Sequence, residues 1–115
     1  GLAGTQGVPV LSGAGGLCAG EVVSLTLTRA KSNGLVTLVA GLSQIGLPFK
    51  GGTLVPAPEV LIVGLQANAA GQLVLAAPWP VGVPSGIELY WQEWIADPVG
   101  PKGFSASNAL RSTVP

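Results

Sequence analysis

The residues with chemistry to offer gather in the C-terminal half of the chain. Trp79, Tyr90, Trp91 and Trp94 lie close together, interleaved with Glu88, Gln92 and Glu93 and followed by Asp97. Flat aromatic rings beside amides and carboxylates can stack on the apolar face of a sugar while the polar neighbours bind its hydroxyls. If residues 86–95 form a strand, Glu88, Tyr90, Gln92 and Trp94 share one face, and Ile87, Leu89, Trp91 and Ile95 share the other with Glu93. Trp79, Tyr90, Gln92 and Trp94 are therefore the candidate glycan platform. The competing reading makes Trp91 core and Trp94 the filling of a sandwich edge.

The carboxylates point away from catalysis. Glu88 and Glu93 are five positions apart, so on a strand they face opposite ways and cannot flank one scissile bond. Glu93 interrupts an apolar face, and a buried carboxylate needs a partner. Arg111, in the last strand, is the candidate for a structural ion pair. Asp97 with loop carbonyls leaves a calcium site open, but no cofactor or metal is expected. With no His in the chain, no serine has an obvious base. Gly13, Gly15 and Gly16 do not lead from a strand into a helix, so they do not make a phosphate loop. The expectation is a protein that is not an enzyme.

Composition narrows the class further. Only 9% of the 115 residues are charged, five basic against five acidic, while 48% are hydrophobic. Scattered charges give no basic face for counterion release, so no nucleic-acid partner is expected. The apolar runs are strand-length, so no membrane span is expected. Cys18 is the single cysteine, either a free thiol or an intermolecular link. With no initiating Met and no leader pattern, the chain reads as a mature or excised piece.

These residues must be positioned by strands. Residues 23–28 alternate apolar and hydroxyl side chains strictly. Asn33-Gly34 supplies a turn tolerant of positive φ, and residues 35–42 return as a hairpin partner. The stretch 46–52 breaks the pattern, and residues 53–55 are short and flanked by prolines. Residues 59–66 are apolar on both faces, and after a turn at 67–71 residues 72–77 pair back. The long strand at 86–95 ends at Asp97-Pro98, and a last strand follows from 104 to 114. With no helical period, the reading is all-β: a single β-sandwich, Greek-key or jelly-roll-like, of about seven to nine short antiparallel strands.

Residues 1–20 form a glycine-rich N-terminal arm or edge strand, and residues 21–115 the sandwich. A neutral chain has little colloidal repulsion between copies, and an arm can add as a strand to a neighbour's open sheet edge. Leu2, Val8, Val10 and Leu11 of the arm, with Val60 and Ile62, are the candidate self-association residues. The arm can equally be a linker or pair within its own domain.

The closing segment carries a resemblance. Gly86-Ile-Glu-Leu-Tyr-Trp-Gln-Glu-Trp-Ile-Ala-Asp-Pro98, Gly103-Phe-Ser-Ala-Ser-Asn-Ala-Leu110 and Thr113-Val-Pro115 are similar to the ends of uncharacterised secreted proteins from planctomycete-like bacteria. The resemblance covers about thirty residues and implies an extracellular β-rich domain with a natural end at Pro115; it assigns no residue a role. The combined expectation is a non-enzymatic extracellular or cell-surface structural or adhesive domain. It would self-associate, into a filament if the arm donates a strand. The alternative is a carbohydrate-binding module that takes a polysaccharide on its Tyr/Trp platform.

Overall fold

The alternation at residues 23–28 becomes a strand with Leu25 and Leu27 buried on one side and Ser24, Thr26 and Thr28 on the other. The computed structural model describes residues 1–15, 18, 20–49, 51–79 and 82–114, so the chain end expected at Pro115 lies outside it. Ten strands are found among these residues: β1 (Val10–Ala14), β2 (Val22–Thr28), β3 (Leu35–Gly41), β4 (Gln44–Phe49), β5 (Gly52–Pro56), β6 (Val60–Gln66), β7 (Leu73–Pro78), β8 (Glu88–Ala96), β9 (Phe104–Ala106) and β10 (Leu110–Thr113). No helix of the described residues is long and apolar enough to cross a membrane.

All strand pairs are antiparallel, and the protein is an all-β sandwich. One sheet has the order β1-β2-β7; the other runs β10-β8-β3-β6, with β9 also on β8. A separate β4-β5 hairpin lies against β8 on the side away from the first sheet. The molecule thus has three layers. Leu11, Leu25, Leu27, Val36, Leu38 and Ile95 fill the space between the two large sheets. Each such side chain contributes roughly 2 kcal/mol through the apolar area it removes from water.

Two expected hairpins are corrected. β2 and β3 do not pair with each other, and neither do β6 and β7; each turn instead carries the chain from one sheet to the other, so that β2 pairs with β7 and β3 with β6. The two turns bind one another: Ala30 N–H donates to Gly71 O, Asn33 N–H to Asn68 O, and Ala67 N–H to Gly34 O. Asn33 does adopt the left-handed conformation its turn chemistry suggests, with φ 55°. Local turn propensity is met, but buried Ala30 and Ala67 dock the turns as corners.

The strand number also exceeds the expectation, for two reasons. The segment read as a break holds most of β4, and the last strand divides at residues 107–109 into β9 and β10. Of the two readings of residues 1–20, arm or edge strand, residues 10–14 take the second: β1 is an edge strand of the smaller sheet, in register with β2 from Val10↔Thr28 to Ala14↔Ser24.

Candidate functional site

β8 positions the chemistry-bearing residues, and its pleat sends them to two different interiors. The even face, expected to be an exposed platform, is covered: Gln92 is 1% exposed, Trp94 3% and Tyr90 9%. The β4-β5 hairpin lies over it. Phe49 meets Trp94 edge-on with ring centroids 5.1 Å apart, and Val39, Ala106, Leu2, Leu54 and Phe104 close the cluster. Gln92 is the polar centre of this layer. Its Oε1 accepts from Val55 N–H at 3.1 Å and Trp94 Nε1 at 3.2 Å, and its Nε2 donates to Thr53 O and Ser107 O, both at 3.1 Å. Tyr90 Oη donates to Glu88 at 2.8 Å. Trp79 sits at the end of β7, on the opposite side of the larger sheet from Trp94. The four residues therefore do not form a sugar platform: two large rings and the amide are structural, and the third ring is elsewhere.

The odd face of β8 looks into the space between the large sheets. Glu93 stands there, 1% exposed, between Trp91 and Ile95 and opposite Leu38. The expected ion pair with Arg111 is corrected. Arg111 is directly opposite Tyr90 in the β8-β10 ladder, so it belongs to the even side of β8, and it is exposed. A one-residue difference in register parity separates the two side chains across the sheet. Glu93 Oε2 is buried without a hydrogen-bond partner, and burial pushes its carboxyl pKa up to about 7. Its backbone is fixed by Ser107, whose Oγ accepts from Glu93 N–H at 2.9 Å.

Asp97 behaves in the opposite way. Burial alone would raise its pKa, but hydrogen bonds from Thr5 Oγ1 and N–H and from Val99 N–H, with the charge of Lys31 nearby, hold it below the usual range. The Thr5 contacts are both 2.7 Å. No cluster of metal-ligating side chains occurs among the described residues, and the Asp97 oxygens are occupied as acceptors.

Those contacts also tie down the arm. Leu2 exchanges backbone hydrogen bonds with Ala106 at 2.9 and 3.0 Å and packs on Trp94. Asn108 accepts from Leu11 N–H at 2.8 Å and donates to Leu11 O at 3.0 Å, while Leu11 is 1% exposed in the core. Leu2 and Leu11 thus serve the chain's own fold rather than a neighbour; Val8 and Val10 remain exposed. Gly4 is packed so closely that an added Cβ would collide with the Asp97 carboxylate and lie 2.7 Å from the Ser105 Cβ. Gly4→Ala is expected to cost about 1–3 kcal/mol and to open residues 1–9 to limited proteolysis; an unchanged digestion pattern and melting curve would contradict this clamp.

β6 and β7 end the two large sheets on one open side of the sandwich, as β10 and β1 do on the other; the open side at β6 is the more apolar and exposed. On β6, Val60, Leu61, Ile62 and Val63 are 51, 57, 43 and 71% exposed. Val60 and Ile62 face the same way as Ala40 and Leu38, toward the inter-sheet space, and Leu61 faces the other way. The register shift opposite Val36–Leu38 places an extra residue on β6, where Gly64 takes φ 80°. This bulge confines the regular edge to Val60–Ile62 and turns Val63 outward. No charged residue occurs between Glu59 and Glu88, so the open side lacks the charges that usually blunt a sheet edge. Cys18 is exposed and has no second cysteine in the chain to pair with.

Sequence reasoning missed Ser107, Asn108 and Thr5 as positioning residues. Their signals are present only as polar residues in otherwise apolar or glycine-rich stretches. Comparison with protein-family models, curated proteins and solved structures finds no match for this chain.

Proposed function

We infer that the protein is a non-enzymatic structural or adhesive domain, acting outside the cell or on its surface, which associates with copies of itself through the open side at β6. The observation that carries this reading is the uncharged edge strand with Val60, Leu61, Ile62 and Val63 all exposed. Soluble monomers protect such edges with lysine, proline or a covering segment; among the described residues β6 carries no lysine or proline, and the bulge at Gly64 limits it. A neighbouring β6 offers the same neutral, apolar surface, so like-to-like pairing meets no charge repulsion. The similarity of the closing segment to secreted bacterial proteins supports the extracellular setting.

The arm is a less suitable donor than β6, since Leu2, Thr5 and Leu11 are engaged within the chain. Val60→Lys with Val63→Lys puts one charge on the inter-sheet side and one at the bulge, both at exposed positions. The double variant is expected to keep its fold by circular dichroism and to lose any higher-mass species in light scattering. Retention of the wild-type mass distribution would exclude β6 as the interface.

A further inference from the structure

The edge that β6 offers to a second copy is short and marked at both ends. Val60, Leu61 and Ile62 lie opposite Ala40, Val39 and Leu38 of β3, and the register shift beyond Ile62 ends the regular stretch. At the other end stands a charge held in place. Glu59 is exposed, its Oε1 accepts from Leu42 N–H at 3.0 Å, and its own N–H donates to Ala57 O at 2.7 Å. Pro58, with no N–H to give, precedes it.

These features select the orientation. Parallel in-register pairing would set the Glu59 carboxylates side by side at the spacing of neighbouring strands, about 5 Å, and like charges opposite one another destabilise a sheet. A two-fold axis along the strands would also put the inter-sheet face of one copy beside the outer face of the other. Antiparallel pairing avoids both. In an antiparallel ladder, opposite residues aim their N–H and C=O groups the same way, and that direction alternates along each strand. Two identical edges can therefore pair only with some residue opposite its own copy. Centring on Leu61 sets Val60 against Ile62 twice and uses the whole regular edge. Centring on Val60 would bring Pro58 into the ladder, and centring on Ile62 would bring in the bulge.

We propose that two copies join β6 to β6, antiparallel, about a two-fold axis at Leu61, forming a closed dimer whose larger sheet runs β10-β8-β3-β6 in one chain and back in the other. The proposal rests on β6 being the association edge and adds its orientation, register and closure. The two Glu59 carboxylates then stand roughly 14 Å apart along the strands, beyond the screening length of about 8 Å in physiological salt. A two-fold interface uses the same patch on both chains, so growth stops at two. The opposite edge of that sheet, β10, carries Arg111, a charge of the kind that keeps an edge from pairing.

The test is cysteine pairing in the full chain carrying Cys18→Ser, at a concentration where sedimentation shows the associated species. Leu61→Cys puts two thiols opposite each other across the axis, with Cα atoms about 4.5–5.5 Å apart, a span that a disulfide bridges. Oxidation is expected to link most chains as dimers on a non-reducing gel, with nothing larger. Val63→Cys is roughly 14 Å from its own copy and links about tenfold less. Chance collision would give the reverse order, because Val63 is 71% exposed against 57% for Leu61. Linkage of Val63→Cys as readily as Leu61→Cys overturns the two-fold arrangement while leaving β6 as the edge, and trimers or larger species in sedimentation overturn closure. Association that persists in Val60→Lys/Val63→Lys, with no Leu61→Cys link, overturns the proposal by moving the interface off β6. A monomer at every concentration overturns it together with the reading it rests on.

Discussion

As pH rises from 4.5 to about 7, the wild-type protein loses stability and Glu93→Gln does not. In the unfolded chain the Glu93 carboxyl titrates near 4.5, and in the folded protein near 7 because burial penalises the charged form. Across that interval the native state holds a proton that the unfolded state has released, so stability falls with rising pH. The full contribution is present below 4.5 and is gone above about 7. From the two pKa values the loss is about 3 kcal/mol, a large part of the stability of a domain this size. The substituted amide carries no charge at any pH, so the variant matches wild type in acid and exceeds it at neutral pH. Asp97 adds a second limb. Its folded pKa lies below the usual range, so its stabilisation is present above the unfolded value and lost as pH falls through the folded one. Stability is therefore greatest in mild acid. Urea denaturation of both proteins across the interval checks this, and parallel slopes would refute the assignment to Glu93.

Gln92→Ala is expected to detach the outer layer. One amide holds Val55, Thr53, Ser107 and Trp94 by hydrogen bonds of 3.1–3.2 Å. Its removal leaves two donors and two acceptors under a hairpin without partners and opens a void beneath them. Unsatisfied buried groups and lost packing together make the cost about 3–5 kcal/mol. Because β4 and β5 pair mainly with each other, the hairpin can lift without unfolding the sandwich. Trp94 emission then shifts to the red and hydrogen exchange rises at residues 44–56 while β2 and β3 stay protected. A wild-type exchange pattern would contradict the hub role of Gln92.

The sequence is informative wherever one strand's own period decides the outcome. β2, β3, β6 and β8 follow from alternation or from sustained apolar runs, and so does the all-β class. Partner choice is not legible. Asn33-Gly34 has hairpin chemistry, yet Ala30 and Ala67 pack the two turns together as crossings between sheets. The β4 strand is hidden by Gly46 and Pro48, which read as breakers although an edge hairpin tolerates both. The face of Glu93 is readable from the alternation, but its partner is not, because Arg111 depends on a long-range register in which one step changes the face. The same limit applies to Tyr90, Gln92 and Trp94: an amphipathic pattern identifies a shared face, not what covers it.

The central claim is self-association through the open side at β6. Sedimentation velocity of the unmodified protein across a wide concentration range tests it most directly. The account requires the weight-average sedimentation coefficient to rise with concentration and the rise to vanish when Val60 and Val63 are both replaced by lysine. A single monomeric boundary at every concentration would contradict it.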